Sequence, residues 1–449
     1  MNNNHKKKTN GLIFTRIQYV HVIGFCLLLF GVGAISLAAG QRQPFVLQSS
    51  ARTTRVKARP AQGRGVGADE SVAWQNNAVH DGFNPASLLV PPLEVKWSRD
   101  FSADEIVSIS YPLIAEGRVF ITTTATSNVN ALVTLDENTG ATIWSADIAK
   151  CCFANAAYDS GKVFVVGMEG LMSAFDAATG DPLWSINLPG QSFFTSPPTA
   201  VNGVVFAGGA GSGGTMYAVD ETNGAVLWSM EVENGDHSSP AVVDGSVFVS
   251  YACPQAYGFS AATGQELWHY TSCCSGGGGK TPVVHAGQVY VRDSFCTQGF
   301  LGLVLDADTG TKTGEFNSDR PPAFIGNLAL YLQEGTLRGV DLASGQVLWS
   351  FAGDGGLQSA PLIVNQTIYI GSSSGTLYGL NTNGHEVWST QVGAPIPAPD
   401  EQNALLTTGL GSGDGLLIVP TDSVLVAYGP CNGRCAPVPR GRPTPAPRP

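Results

Sequence analysis

Basic residues are nearly missing from the middle of this chain. Of its 24 Lys and Arg, only ten lie in residues 66–430, where all 35 Asp and Glu sit, a formal charge of −25 for that stretch. A surface of that sign repels phosphate backbones and anionic headgroups, which argues against nucleic acid or a membrane face as partner of the main domain. Charge of either sign is scarce, at 13% of residues. No segment shows apolar residues at the 3.6-residue spacing of packed helices, so helical repeats are excluded. The 55 glycines and 27 prolines point instead to short strands and many turns. No Cys/His zinc spacing occurs. The stretch CSGGGGKT (274–281) comes near a phosphate loop. Cys274 stands where its first glycine belongs, however, and the strand-like TPVVHAGQVYV follows, so no helix N-terminus is on hand.

Long apolar runs are absent but for one. Lys6, Lys7, Lys8 and Arg16 precede Val20–Ala39, a run broken only by His21 and ending in small residues. It reads as an export signal or an N-terminal membrane anchor, and residues 20–39 approach the length that spans a bilayer. No lipobox cysteine follows it. The expected organisation is an export segment (1–40), a basic flexible linker (41–73), one large domain (74–430), and a Cys-loop with a Pro/Arg-rich tail (431–449). An extracellular, cell-surface or periplasmic protein is expected, as a monomer.

What is present is repetition. LVTLDENTGATIWSADI (132–148), LMSAFDAATGDPLWSINL (171–188) and TMYAVDETNGAVLWSMEV (215–232) recur in four more copies up to residue 392, with turn glycines 35–46 residues apart. Each alternates apolar and polar residues, turns at Asp-x-x-Thr-Gly or a variant, and alternates again, the pattern of a β-hairpin. Trp144, Trp184, Trp228, Trp268, Trp349 and Trp388 follow the turn glycine by four residues, and the fifth copy has Gly314 there instead. A second hairpin precedes each copy, as in SSPAVVDGSVFVSY (238–251). Four antiparallel strands per period predict an all-β propeller. Seven copies are complete; residues 403–430 supply three more strands, and LEVKWSRDF (93–101) a lone fourth. Joining them predicts an eight-bladed ring of four-stranded blades closed by an N-terminal strand, with seven blades as the fallback.

The Asp-x-x-Thr-Gly-x-x-x-Trp hairpin resembles the pyrroloquinoline-quinone (PQQ) type β-propeller repeat, and the opening WQNNAVHDGFNPASLLVPPLEVKW (74–97) resembles the opening segment of such proteins. The family includes quinoprotein dehydrogenases, the propeller of an outer-membrane barrel assembly machine, and exported proteins of other kinds. The resemblance thus implies fold more than function.

Apart from Cys26 in the export segment, eight cysteines remain. Blade order places Cys151, Cys152, Cys253, Cys273, Cys274 and Cys296 on one face, where the long connections run. An even number in an exported chain favours disulfides. The expectation is that Cys273 and Cys274 bond to Cys253 and Cys296, stitching the fourth blade to the fifth, and that Cys431 and Cys435 close a small loop. The resemblance offers a rival for Cys151-Cys152: in quinoprotein alcohol dehydrogenases a vicinal pair packs on PQQ, bound with calcium. The Asn-Arg-Gly that follows that pair there is replaced here by FANAAY (153–158). Asp236 with His237, and Asp400 with Glu401, are weak metal candidates on the same face, with solvated loops as the competing reading. The expected function is a non-catalytic binding or scaffold module with a protein or glycan on the long-loop face. The alternatives are a PQQ-dependent dehydrogenase and a glycan or cell-wall binding propeller.

Overall fold

In the computed structural model, the described residues are 69–127, 129–149, 153–210, 213–233, 238–251, 255–271, 279–292, 302–401, 406–431 and 433. They build eight sheets, one per blade: six are four-stranded and antiparallel, blade 1 adds Ile106–Ile109, and blade 7 adds the parallel strand Phe83–Asn84. In blades 1–7 the four blade strands run in sequence order from the axis outward. Blade 3 is representative: Thr199–Val201, Val204–Ala210, Gly214–Asp220 and Val226–Val232. Its second strand is buried through its middle, whereas VLWSMEV exposes alternate residues. Middle strands are sandwiched between neighbouring blades, so they carry long apolar runs, and the outermost strand faces water on one side. The first-to-second and third-to-fourth strand turns share one face, called here the turn face. The remaining connections share the opposite loop face.

The repeated turn follows from its chemistry. Asp136 accepts the backbone N–H of Thr139 (2.9 Å) and its hydroxyl (2.7 Å), and Gly140 adopts a φ of +68°, which costs a glycine nothing. Threonine or serine repeats the hydroxyl bond at Asp176, Asp306 and Asp341. The same bonds hold the Asp306 and Asp341 carboxyls below the usual range.

The tryptophans link one blade to the next. Trp97, Trp144, Trp184, Trp228, Trp268 and Trp349 donate their indole N–H to the carbonyls of Glu137, Ala177, Glu221, Ala261, Ala307 and Thr382, at 2.6–3.1 Å. Each indole lies on the turn glycine of the following blade: a Cβ on Gly140, Gly180, Gly224, Gly264, Gly310 or Gly384 would stand 2.3–2.7 Å from it. Trp388 packs edge-on against Tyr428 of blade 8 instead, with ring centroids 5.6 Å apart. The core is therefore a series of layers between blades, such as Phe164, Met172 and Ala174 against Val205, Tyr217 and Val219.

Ring closure is as the repeat arithmetic requires. Blade 8 consists of Gly411–Gly413, Leu416–Pro420, Val424–Pro430 and, as its outermost strand, Leu93–Asp100. Trp97 pairs with Ala427 and Asp100 with Val424. No blade edge is left open between the two ends of the ring.

Glu221, next to the turn of blade 3, is buried beside Asp159, with Lys162 Nζ 3.9 Å away. Burial, reinforced by the Asp159 carboxylate, raises its pKa from 4.5 to about 8. Such a carboxyl favours the fold while protonated, so its contribution is full below pH 4.5 and is lost as pH rises to about 8. Glu221→Gln is expected to be more stable than the parent at pH 8 by about 1–3 kcal/mol and equal to it at pH 4. Urea titrations at the two pH values check this; the same difference at both would show that the group does not titrate with folding.

Candidate functional site

A propeller's natural site is its axis, where eight innermost strands converge. Here the axis is filled by the chain's own residues 69–84. Ser71 exchanges two backbone hydrogen bonds with Ile114 of blade 1 (2.8 and 2.9 Å). Carbonyls of Val72, Ala78, Val79, Asp81, Gly82 and Asp69 then accept the N–H groups of Tyr158, Val242, Val284, Phe324, Ile363 and Asp414, in blades 2, 4, 5, 6, 7 and 8, at 2.6–3.1 Å. Only a segment lying on the axis can reach so many blades. These partners stand in the innermost turns or up to two residues before them, so the plug occupies the turn-face end of the channel. Gln75, Asn76 and His80 adopt positive φ (55°, 76° and 60°), which coils the segment tightly enough to present its carbonyls outward.

Two plug side chains anchor it. Trp74 is fully buried among Tyr111, Ala156 and Tyr158, and its indole N–H points to the Thr408 carbonyl at 3.4 Å. His80 is also fully buried, its Nδ1 2.8 Å from the Trp74 carbonyl and its Nε2 3.0 Å from the Pro240 carbonyl. The Thr199 hydroxyl of blade 3 lies 3.4 Å from Nε2. Burial lowers the His80 pKa, against the raising pull of those carbonyls, and the ring ties the plug to blade 4.

The loop-face end is polar. Arg292, at the end of the second strand of blade 5, forms a two-pronged ion pair with Glu401 from the connection between blades 7 and 8 (2.7 and 2.8 Å). Both are buried, at 3% and 8% exposure. Glu401 also receives the Thr281 N–H at 3.3 Å, and Arg292 reaches the Thr281 and Asp319 carbonyls. Arg320 donates to the Gln358 carbonyl at 3.1 Å. Burial lowers its pKa, opposed by the Glu401, Asp319 and Asp400 carboxylates. Asn155 Oδ1, Ser196 Oγ, Arg292 Nε and Thr408 Oγ1 are buried without a hydrogen-bond partner among the described residues. Groups so placed need water or a ligand to satisfy them.

Of the residues singled out in the sequence, Asp400 and Glu401 lie at this mouth, and Glu401 is committed to a guanidinium. The Asp400 carbonyl receives the Thr407 hydroxyl at 3.3 Å. Cys431 ends the last strand, its N–H directed to the Pro92 carbonyl at 3.4 Å. Cys151, Cys152, Asp236, His237, Cys253, Cys273, Cys274, Cys296 and Cys435 lie outside the described residues, as does the apolar run 20–39. Among the described residues, no three His, Cys, Asp or Glu side chains are grouped to hold a metal, and no helix is long and apolar enough to cross a membrane. Sequence reasoning missed Trp74, His80, Arg292 and Arg320. The scarcity of basic residues was a usable signal, because an arginine ending the apolar strand QVYVR rarely stays unpaired.

Comparisons with known proteins agree with the architecture. The family profile described as "Outer membrane protein assembly factor BamB" matches residues 129–217, 212–322 and 301–436. A tetrathionate hydrolase of Acidithiobacillus ferrooxidans is 25% identical over 278 residues, and the match spans 54% of this chain and 54% of that protein. The outer membrane protein assembly factor BamB of Moranella endobia is 25% identical over 352 residues, 69% of this chain and 82% of that one. Among solved structures, the quinohemoprotein alcohol dehydrogenase of Comamonas testosteroni superposes with a TM-score of 0.63 at 13% identity, over 82% of each chain, a likeness of fold alone. With eight repeat-built blades, an indole at six junctions and a profile matched across three stretches, the chain belongs to the PQQ-type β-propeller repeat family.

Proposed function

We propose that the protein is an exported propeller that acts as a scaffold, holding a protein partner on its loop face without chemistry of its own. One observation carries this reading. The axis, where a propeller enzyme would hold its reactants, is taken by residues 69–84 at one end and by the buried Arg292–Glu401 pair at the other. The kinship with outer membrane protein assembly factors supports an envelope location and a protein partner.

Among the described residues, those at the axis do not fit PQQ. A tricarboxylate of that size needs uncommitted cations on a flat, open floor. Arg292 is spent on Glu401 instead, and Trp74, itself part of the plug, is packed among Tyr111, Ala156 and Tyr158. The stitch of Cys253, Cys273, Cys274 and Cys296 remains part of this proposal, as does the Cys431–Cys435 loop. Non-reducing peptide mapping decides the pairing.

Two measurements test the scaffold. Titration with PQQ and calcium is expected to leave the absorbance spectrum a plain sum of its components, with no dye reduction by added alcohols. A photo-crosslinker at the exposed loop-face residue Glu169 is expected to capture an envelope protein, and one at Asn138 on the turn face is not. Quinone binding with turnover, or capture from Asn138 alone, would overturn the proposal.

A further inference from the structure

The fifth repeat's missing tryptophan leaves a physical trace. Blade 5 (Val283–His285, Gln288–Val291, Gly302–Asp306, Lys312–Phe316) meets blade 6 (Ala323–Ile325, Leu328–Gln333, Thr336–Asp341, Val347–Phe351) with Gly314 where the seven other blades place a tryptophan. A cavity of about 830 Å³ runs between them, lined by Gln288, Val304, Gly314, Asn327, Leu342 and Gly345 among others. The turn glycine of blade 6 is bare: a Cβ on Gly345 would meet nothing within 4 Å, against 2.3–2.7 Å at the six filled junctions. By its place in the turn, the Leu342 carbonyl corresponds to the acceptors of the other six indoles.

The partner strand shows the same exchange from below. The residue paired with the tryptophan is Thr134, Ala174, Ala218, Gly258, Gly339, Gly379 or Ala427, all small enough to lie under an indole. Opposite Gly314 it is Val304. Valine covers part of the floor but reaches neither Gly345 nor the Leu342 carbonyl.

We infer that this slot binds a tryptophan side chain presented by a partner protein. Its shape is repeated six times in the molecule with an indole in place, so ring dimensions, the glycine platform and the carbonyl acceptor are all set. The occupant comes from outside. All eight tryptophans of the chain are described residues, seven of them at blade junctions and Trp74 in the plug, and the undescribed segments contain none. Charge selects the flanks of that tryptophan. Glu315 is paired with Lys312 at 2.5 Å and Arg338, farther along the cavity, donates to Gln333, whereas Asp341 stands beside Leu342 as an anion within a domain of formal charge −25, so basic neighbours are favoured. Leu342 and Gly345 place the slot at the turn-face end of a cavity that runs on to Asn317 and Gln333 near the loop face, and its test does not depend on the scaffold reading.

The probe is the capped tripeptide Lys-Trp-Lys carrying 5-fluorotryptophan, titrated with the full-length protein and followed by ¹⁹F line broadening. Saturable broadening is expected, with Glu-Trp-Glu and an N1-methyl indole each roughly tenfold weaker because charge attraction and the bond to the Leu342 carbonyl are lost. Gly314→Trp with Val304→Ala fills the slot from within and is expected to abolish the effect. Should that pair not fold, Ala343→Phe on the exposed turn blocks the mouth without touching the core. No broadening at millimolar peptide, or broadening unchanged in a blocked variant, would overturn the assignment.

Discussion

Trp97→Ala is expected to lower the unfolding free energy by about 3–5 kcal/mol, and deletion of residues 91–101 to leave no folded propeller. The loss is large because Trp97 serves three contacts at once. It packs among Ile114, Val119, Ile418 and Leu425, lies on Gly140, and donates to the Glu137 carbonyl at 2.6 Å. It is also the side chain through which blade 8 grips blade 1, so its removal weakens the ring at its seam. A domain's whole net stability is only about 5–15 kcal/mol, so the single substitution is already severe. Val95 on the same strand is 53% exposed, and Val95→Ala is expected to cost no more than about 0.5 kcal/mol. Guanidinium unfolding of the three variants reads this directly. A mild effect of Trp97→Ala would mean that the closing strand is dispensable.

Arg292→Met is expected to cost about 3–5 kcal/mol, because it leaves the Glu401 carboxylate buried without its cation. The double variant Arg292→Met, Glu401→Leu removes both charges and is expected to recover most of that loss, or to exceed the parent by about 1–4 kcal/mol. Such a recovery would mark the pair as a specificity device, fixing where the connection between blades 7 and 8 crosses the mouth, and not as a source of net stability. Thermal unfolding of the parent and three variants closes the cycle. A neutral effect of Arg292→Met alone would contradict the burial of the pair.

Most of the architecture was legible without coordinates. Period-two alternation names the strands, and Asp-x-x-Thr-Gly names the turn, because both are encoded within a few residues of each other. Blade count and closure followed from counting, once LEVKW was recognised as an orphan outer strand. Even the vacancy at Gly314 was visible as a break in the pattern. The cavity it leaves was not, since that depends on whether the neighbouring blade closes in.

The axis was another matter. WQNNAVHDGF reads as a polar opening segment, and nothing periodic in it signals a plug. Its partners are 160 residues away at Pro240 and 334 away at Thr408, and most of its bonds run from backbone carbonyls, which every residue possesses. Arg292 and Glu401 are 109 residues apart and likewise share no local pattern. Repeats broadcast their geometry because each copy makes the same short-range contacts. The centre of the ring is built from segments that do not repeat, so only the closed propeller brings them together.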